Sequence, residues 1–118
     1  MKKSITIIIP VYCEGGNVSK IYETLDKVVK PLKKYNWSII FVDDGSEDET
    51  ASIIKKIIKK DKKVGLISFA RNFGKEAALT AGVLENKGSD AVICIDADLQ
   101  HPPELIPDII NYWEQGYP

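Results

Sequence analysis

Residues 5–10, ITIIIP, form an unbroken apolar run rich in β-branched side chains, the pattern of a strand covered on both faces. Gly15 and Gly16 then break the chain. Asn17 is placed to cap a helix whose apolar positions are Val18, Ile21, Leu25, Val28, Val29 and Leu32. Pro31 should kink or end that helix, because proline lacks the N–H and clashes with the preceding turn. Residues 37–42, WSIIFV, predict a second strand. Ser46 and Glu49 match the S-x-x-E capping box, and Ala51, Ile53, Ile54, Ile57 and Ile58 continue as a helical stripe. Residues 64–69 read as a third strand and residues 75–87 as a third helix, with Gly88 as its C-cap. Residues 90–95 read as a fourth strand. A fourth helix is expected from about 103 to 115, stopped by Gly116, with Pro107 marking an irregular first turn.

The pattern alternates β-α-β-α-β-α-β-α with short connections. It predicts an α/β, Rossmann-like parallel sheet with right-handed crossovers and helices on both faces. With strand order 3-2-1-4, the order reverses between strands one and four. Ligands of doubly wound sheets bind at the carboxyl ends of the strands at that reversal. The loops that meet there are PVYCEGG and DADLQHPP.

Composition changes this picture little. The chain has 118 residues and a formal net charge of −1, so charge gives no support to a nucleic-acid partner, and none is expected. Of its 16 basic residues only one is arginine, Arg71. Most lysines fall in helical stretches, where a solvated face is the ordinary reading. Cys13 and Cys94 are too few and too far apart for a disulfide scaffold or a zinc site, which fits a reducing, cytoplasmic setting. Met-Lys-Lys-Ser leads straight into the first strand rather than into a signal peptide, and no apolar stretch has the length of a membrane span.

Three strand ends carry candidate chemistry. Asp43 and Asp44 follow the second strand; adjacent carboxylates there need donors, which the N–H of a base or the hydroxyls of a ribose supply. The competing reading has Ser46 capping a helix and Asp44 decorating a turn. After the third strand, Arg71, Lys75 and the first amides of the next helix can meet an anionic group such as a diphosphate. The spacing there is neither G-x-x-x-x-G-K-[ST] nor G-x-G-x-x-G, and an ordinary basic loop fits equally well. After the fourth strand, Asp96 and Asp98 stand two apart, so an extended backbone projects both to one side. Such oxygens suit Mg²⁺ or Mn²⁺, which takes one or two carboxylates and fills its remaining positions with water and substrate phosphate. Gln100 can ligate directly or through water. The alternative for Asp96 and Asp98 is an Asx-turn with a helix cap. His101, the only histidine, reads equally as base, ligand or plain loop residue before Pro102 and Pro103.

Together, residues 9–14 (IPVYCE), 42–46 (VDDGS) with Asp48 and Thr50, 71–75 (RNFGK) and 96–103 (DADLQHPP) resemble the family 2 glycosyltransferases of the GT-A fold. More narrowly, they are similar to the polyprenyl-phosphate branch, which includes dolichol-phosphate mannosyltransferase and bactoprenol-phosphate glycosyltransferases. The resemblance spans essentially the whole chain, and its specificity lies in four modest motifs falling in order at the right strand ends. It implies that Pro10, Tyr12, Glu14 and Asp44 hold the base and ribose, with Asp43 beside them and Arg71 and Lys75 nearby. It implies that Asp96, Ala97 and Asp98 match the family's D-x-D segment, which holds the metal and donor diphosphate as the catalytic centre, with Gln100 at a further metal position. Cys13 departs from the family, which usually has Asn there.

The resemblance further implies transfer of a sugar, with inversion, from a UDP- or GDP-linked donor to a polyprenyl phosphate at the cytoplasmic face of a membrane. Residues 1–118 would be the nucleotide-sugar-binding part of the domain. The acceptor-binding half would be absent, leaving a part with little turnover of its own and an apolar surface open to self-association. A non-catalytic nucleotide-binding or scaffold module is the alternative. A receiver-like signalling domain would carry its acidic pair after strand one, whereas here the pair follows strand two.

Overall fold

The computed structural model describes residues 2–86, 88–95 and 106–116. The elements alternate as expected: β1 (Lys3–Val11), α1 (Gly15–Val29), β2 (Tyr35–Asp43), α2 (Thr50–Lys60), β3 (Val64–Ser68), α3 (Lys75–Glu85), β4 (Ala91–Cys94) and α4 (Ile106–Glu114). All strand pairs are parallel and the sheet order is β3-β2-β1-β4. The predicted order and the predicted reversal between β1 and β4 are both present.

The continuous apolar run of β1 is explained by its two covered faces. Ile5, Ile7, Ile9 and Val11 alternate into one core with Val18, Ile21 and Leu25 of α1, Ile54 and Ile57 of α2, and Ile106 and Ile110 of α4. Ile8 points the other way, into a smaller core with Val42 and with Ala78 of α3. The split follows from crossover handedness. The steps β1 to β2 to β3 run in one direction and place α1 and α2 on one face; the step from β3 to β4 runs back, so its helix α3 lies on the other. There α3 sits close to the sheet: a Cβ built on Gly82 would lie 2.6 Å from Ile8 Cγ2.

Pro31 ends α1 as predicted, with Lys30 at the C-cap. Pro107 is accommodated at the second position of α4, where its missing N–H has no partner in any case. Three predicted caps are corrected. Glu14 rather than Asn17 holds the N-cap of α1, and its carbonyl accepts the Asn17 and Val18 N–H groups at 2.8 and 3.1 Å. Helix α3 stops before Gly88, at Asn86, whose Nδ2 donates back to the Gly82 carbonyl at 2.7 Å. The Ser46–Glu49 capping box does not form. Helix α2 starts only at Thr50, Glu49 makes no side-chain cap, and the Ser46 hydroxyl is taken by a neighbouring loop. Asp48 substitutes, its Oδ1 accepting the Thr50 N–H at 3.0 Å. The expected start of α4 near residue 103 lies outside the described residues.

At the amino ends of the strands, Lys63 Nζ donates to Asp26 and Asp61, and the Tyr22 hydroxyl donates to Asp61 at 2.6 Å. This ties α1 to the α2–β3 connection. Among the described residues, no helix is long and apolar enough to cross a membrane.

Candidate functional site

The loop after β2 is the hub of the carboxyl end of the sheet. Asp43 and Asp44 are only 2% and 4% exposed, so both carboxylates need donors, and both have them. Asp43 Oδ1 accepts the Ser46 N–H at 3.0 Å, closing a tight local turn. Asp44 reaches across to the β3–α3 loop: Oδ1 accepts the Phe73 N–H at 2.7 Å and Oδ2 the Gly74 N–H at 2.9 Å. Its own N–H donates to the Val11 carbonyl at 2.9 Å. Gly45 lets the two loops touch. It has φ +77°, and a Cβ there would lie 2.3 Å from the carbonyl carbon of Arg71.

On its other side the same loop grips the β1–α1 loop through three successive N–H groups. Cys13 donates to Ser46 Oγ at 2.8 Å, Glu14 to Thr50 Oγ1 at 3.0 Å and Gly15 to Asp48 Oδ2 at 3.4 Å. The Thr50 hydroxyl donates in turn to Asp48 Oδ1. That hydroxyl bond, with the backbone N–H groups of Thr50 and Gly15, holds the Asp48 carboxyl below its ordinary range despite some desolvation. Ser46, Asp48 and Thr50 thus spend their side chains on another loop, which is why the capping signal misled. Their i, i+2, i+4 spacing was visible in the sequence; their non-local partners were not.

The structure brings together seven of the expected site residues: Pro10, Tyr12, Glu14, Asp43, Asp44, Arg71 and Lys75 lie on three adjacent loops or strand ends of one sheet edge. Pro10 is buried at the end of β1 opposite Val42. Tyr12 is 44% exposed and its N–H donates to Glu14 Oε1 at 3.4 Å. Adjacent Cys13, partial burial and the Glu47 and Asp44 carboxylates hold the Tyr12 phenol above its ordinary pKa. Cys13 sits in the left-handed region at φ +51°, a conformation that asparagine adopts more readily than cysteine.

Arg71 stacks its guanidinium 4.9 Å from the centroid of Phe73, a 54% exposed side chain inside the RNFGK motif to which the sequence assigns no role. Phe73 in turn packs edge-on against Phe69. Lys75 opens α3, so Arg71, Lys75 and the amide end of that helix concentrate positive potential beside the Asp44 loop. Asp96, Ala97, Asp98, Gln100 and His101 lie outside the described residues. The described chain reaches Ile95, whose N–H donates to the Ile8 carbonyl of β1 at 3.0 Å. The chemistry of this donor set, two carboxylates and an amide oxygen, fits a hard divalent cation.

Residues 6–118 match the glycosyl transferase family 2 profile. CsbB of Bacillus subtilis (strain 168), a glycosyltransferase by name, is 49% identical over 96% of this chain and 34% of its own length. A bactoprenol glucosyl transferase of Shigella phage SfV is 45% identical over 95% of this chain and 36% of its own. The chain thus spans about a third of the length of these curated relatives. Among solved structures, the mannosyltransferase PcManGT of Pyrobaculum calidifontis in complex with GDP-Man and Mn²⁺ superposes with a TM-score of 0.79 at 21% identity, covering 100% of this chain and 34% of that one. That likeness supports the GT-A fold alone. With the profile matching almost every residue, the chain belongs to the family 2 glycosyltransferases.

Proposed function

We propose that the chain is the donor-binding part of a glycosyltransferase that moves a sugar from a nucleotide diphosphate to a polyprenyl phosphate at the cytoplasmic face of a membrane. The observation that carries the donor site is the linked trio of loops at residues 13–15, 43–50 and 71–74, held by backbone N–H groups that donate to Ser46, Thr50 and Asp44 side chains. Cross-links between the three loops fix their relative positions, which lowers the conformational freedom that binding would cost. Pro10, Tyr12, Glu14 and Asp44 hold the base and ribose, with Asp43 beside them. Arg71 and Lys75 face the diphosphate. The acceptor class is inferred from the bactoprenol relative.

Asp96 and Asp98, with Gln100, would hold Mg²⁺ or Mn²⁺, and Ala97 would lie against the donor. The cation supplies charge neutralisation on the departing diphosphate. In the transfer, an acceptor phosphate oxygen forms a bond to the anomeric carbon as the bond from that carbon to the diphosphate oxygen breaks, and the nucleoside diphosphate leaves. Attack from the opposite face inverts the centre. The acceptor needs no general base, since a phosphate monoester, with a second pKa of about 6, is already largely anionic at neutral pH. The protein's share is orientation and charge placement.

Titrating UDP and GDP with and without Mn²⁺, in the parent chain and in Asp98→Ala, tests the reading. Metal-dependent binding of one nucleotide, lost in Asp98→Ala, is expected. Binding of neither would favour a scaffold module over a donor site.

A further inference from the structure

The geometry points to Thr50 as a positioning residue for the donor: its hydroxyl fixes the Cys13–Glu14 peptide and, through it, the places of Tyr12 and Glu14. This rests on the donor-site reading above. Thr50 is 0% exposed, so it acts on a nucleotide only through what it holds. It opens α2, whose Ile54 and Ile57 sit in the larger core, so the hydroxyl is referenced to a rigid element. A threonine hydroxyl has one hydrogen to donate. Asp48 Oδ1 takes that hydrogen and also accepts the Thr50 N–H at 3.0 Å, which leaves Thr50 Oγ1 to accept the Glu14 N–H at 3.0 Å. In such a chain each bond polarises and strengthens the next. The peptide it holds needs holding. Cys13 sits at φ +51°, unfavourable for a cysteine, and backbone of that kind persists only where surrounding bonds enforce it. Ser46 Oγ fixes one side of Cys13 by accepting its N–H at 2.8 Å, and Thr50 fixes the other through the next amide. Without the Thr50 bond, Cys13 can relax toward an ordinary backbone conformation. That turns the 13–14 peptide and moves the Tyr12 and Glu14 side chains, which are themselves joined by the Tyr12 N–H to Glu14 Oε1.

The test compares Thr50→Ser, which keeps the hydroxyl, with Thr50→Val, which puts a methyl of similar size in its place. Amide hydrogen exchange of the chain without nucleotide is one readout, and dissociation constants for UDP and GDP with Mn²⁺ are the other. Thr50→Val should lower protection of the Glu14 amide about tenfold and weaken the better nucleotide about tenfold, while Thr50→Ser should stay within about twofold of the parent in both. A folded Thr50→Val protein that binds as the parent does would reduce Thr50 to a purely structural role and sink the proposal. Thr50→Ser binding as weakly as Thr50→Val would do the same, since the hydroxyl would then not be the operative group. If Thr50→Val does not fold, Asp48→Ala carries both arms: it removes, from an exposed position, the acceptor that orients the hydroxyl. It should move both readouts in the same direction by about threefold, and no change in either would overturn the relay. If neither nucleotide binds the parent chain, the donor reading falls and the role toward the donor with it; nucleotide binding that Thr50→Val leaves intact defeats the positioning role alone.

Discussion

Replacing Gly45 by alanine should be among the most damaging single changes in this chain, for two separable reasons. The residue sits at φ +77°, where an L-residue with a Cβ costs about 1–2 kcal/mol. The added Cβ would also lie 2.3 Å from the Arg71 carbonyl carbon and 2.5 Å from the Asn72 nitrogen. Both are backbone atoms that cannot rotate away, so the loops must part; overpacking of that kind costs about 1–3 kcal/mol. The sum is about 2–5 kcal/mol, a large share of the 5–15 kcal/mol that holds a typical domain together. Gly45→Asn isolates the second reason, because asparagine tolerates the left-handed conformation yet brings the same Cβ. It should still lose about 1–3 kcal/mol. Urea unfolding with an unchanged slope should put the Gly45→Ala midpoint about 1–2 M below the parent's. A Gly45→Asn variant within about 0.5 kcal/mol of the parent would refute the contact between the two loops as drawn here.

The other expectations are simpler. Cys13→Asn should stabilise by about 0.5–1 kcal/mol in the same urea assay, because it relieves φ +51° while keeping the N–H bond to Ser46; a loss of stability would count against a left-handed Cys13. Gly82→Ala, normally a gain inside a helix, should instead cost about 1–2 kcal/mol by pressing on Ile8, and should lose that penalty in an Ile8→Ala background. Tyr22→Phe should cost about 1.5–3 kcal/mol by removing a donor from the charged Asp61. Burial and the bond to Glu114 push the Tyr35 phenol up to about 12, so its contribution is complete below its unfolded pKa of about 10 and is lost as pH rises from there toward 12; Tyr35→Phe should flatten the alkaline limb of a stability-versus-pH curve. Asp61 works in the opposite sense. Desolvation raises its pKa, but the bonds from Lys63 and Tyr22 outweigh that and hold it below the ordinary carboxylate range, so its contribution is present near neutrality and lost as pH falls below about 4; Asp61→Asn should flatten the acid limb.

The strands and their order were legible because burial on two faces writes an apolar run and because crossover handedness leaves few arrangements. ITIIIP could be little else, and the return from β3 to β4 sends α3 to the opposite face without further information. The Ser46–Glu49 cap was not legible for a specific reason. Ser46 and Thr50 bond across 33 and 36 residues to the β1–α1 loop, and a local motif cannot reveal that its side chain has a better partner elsewhere. Asp44 shows the same limit inside the site. Its acidity and its strand-end position marked it for chemistry, while the two amides that occupy its oxygens lie 29 and 30 residues away. Phe73 stood inside the RNFGK motif without a role of its own, since an exposed aromatic among polar residues has no periodicity.

The sheet order also explains why the load falls on one loop. Strand β2 runs between β1 and β3, so the loop leaving it necessarily emerges between the loops that leave its two neighbours. From there residues 43–50 reach residues 13–15 on one side and residues 71–74 on the other. Strand β4 has a described neighbour only in β1, and the chain leaves it with Ile95 bonded to Ile8. A disturbance at Gly45 or Asp44 therefore has a route into both flanking loops, whereas the described chain leading to Asp98 joins the sheet through β1 alone. On that basis Asp98→Ala should remove the cation's contribution and leave the exchange of the Phe73 and Gly74 amides as it was, and Asp44→Ala should loosen those amides whether or not a cation is present. Finding the two variants with the same exchange pattern would mean that the site orders as a single unit, and the division by strand adjacency would be wrong.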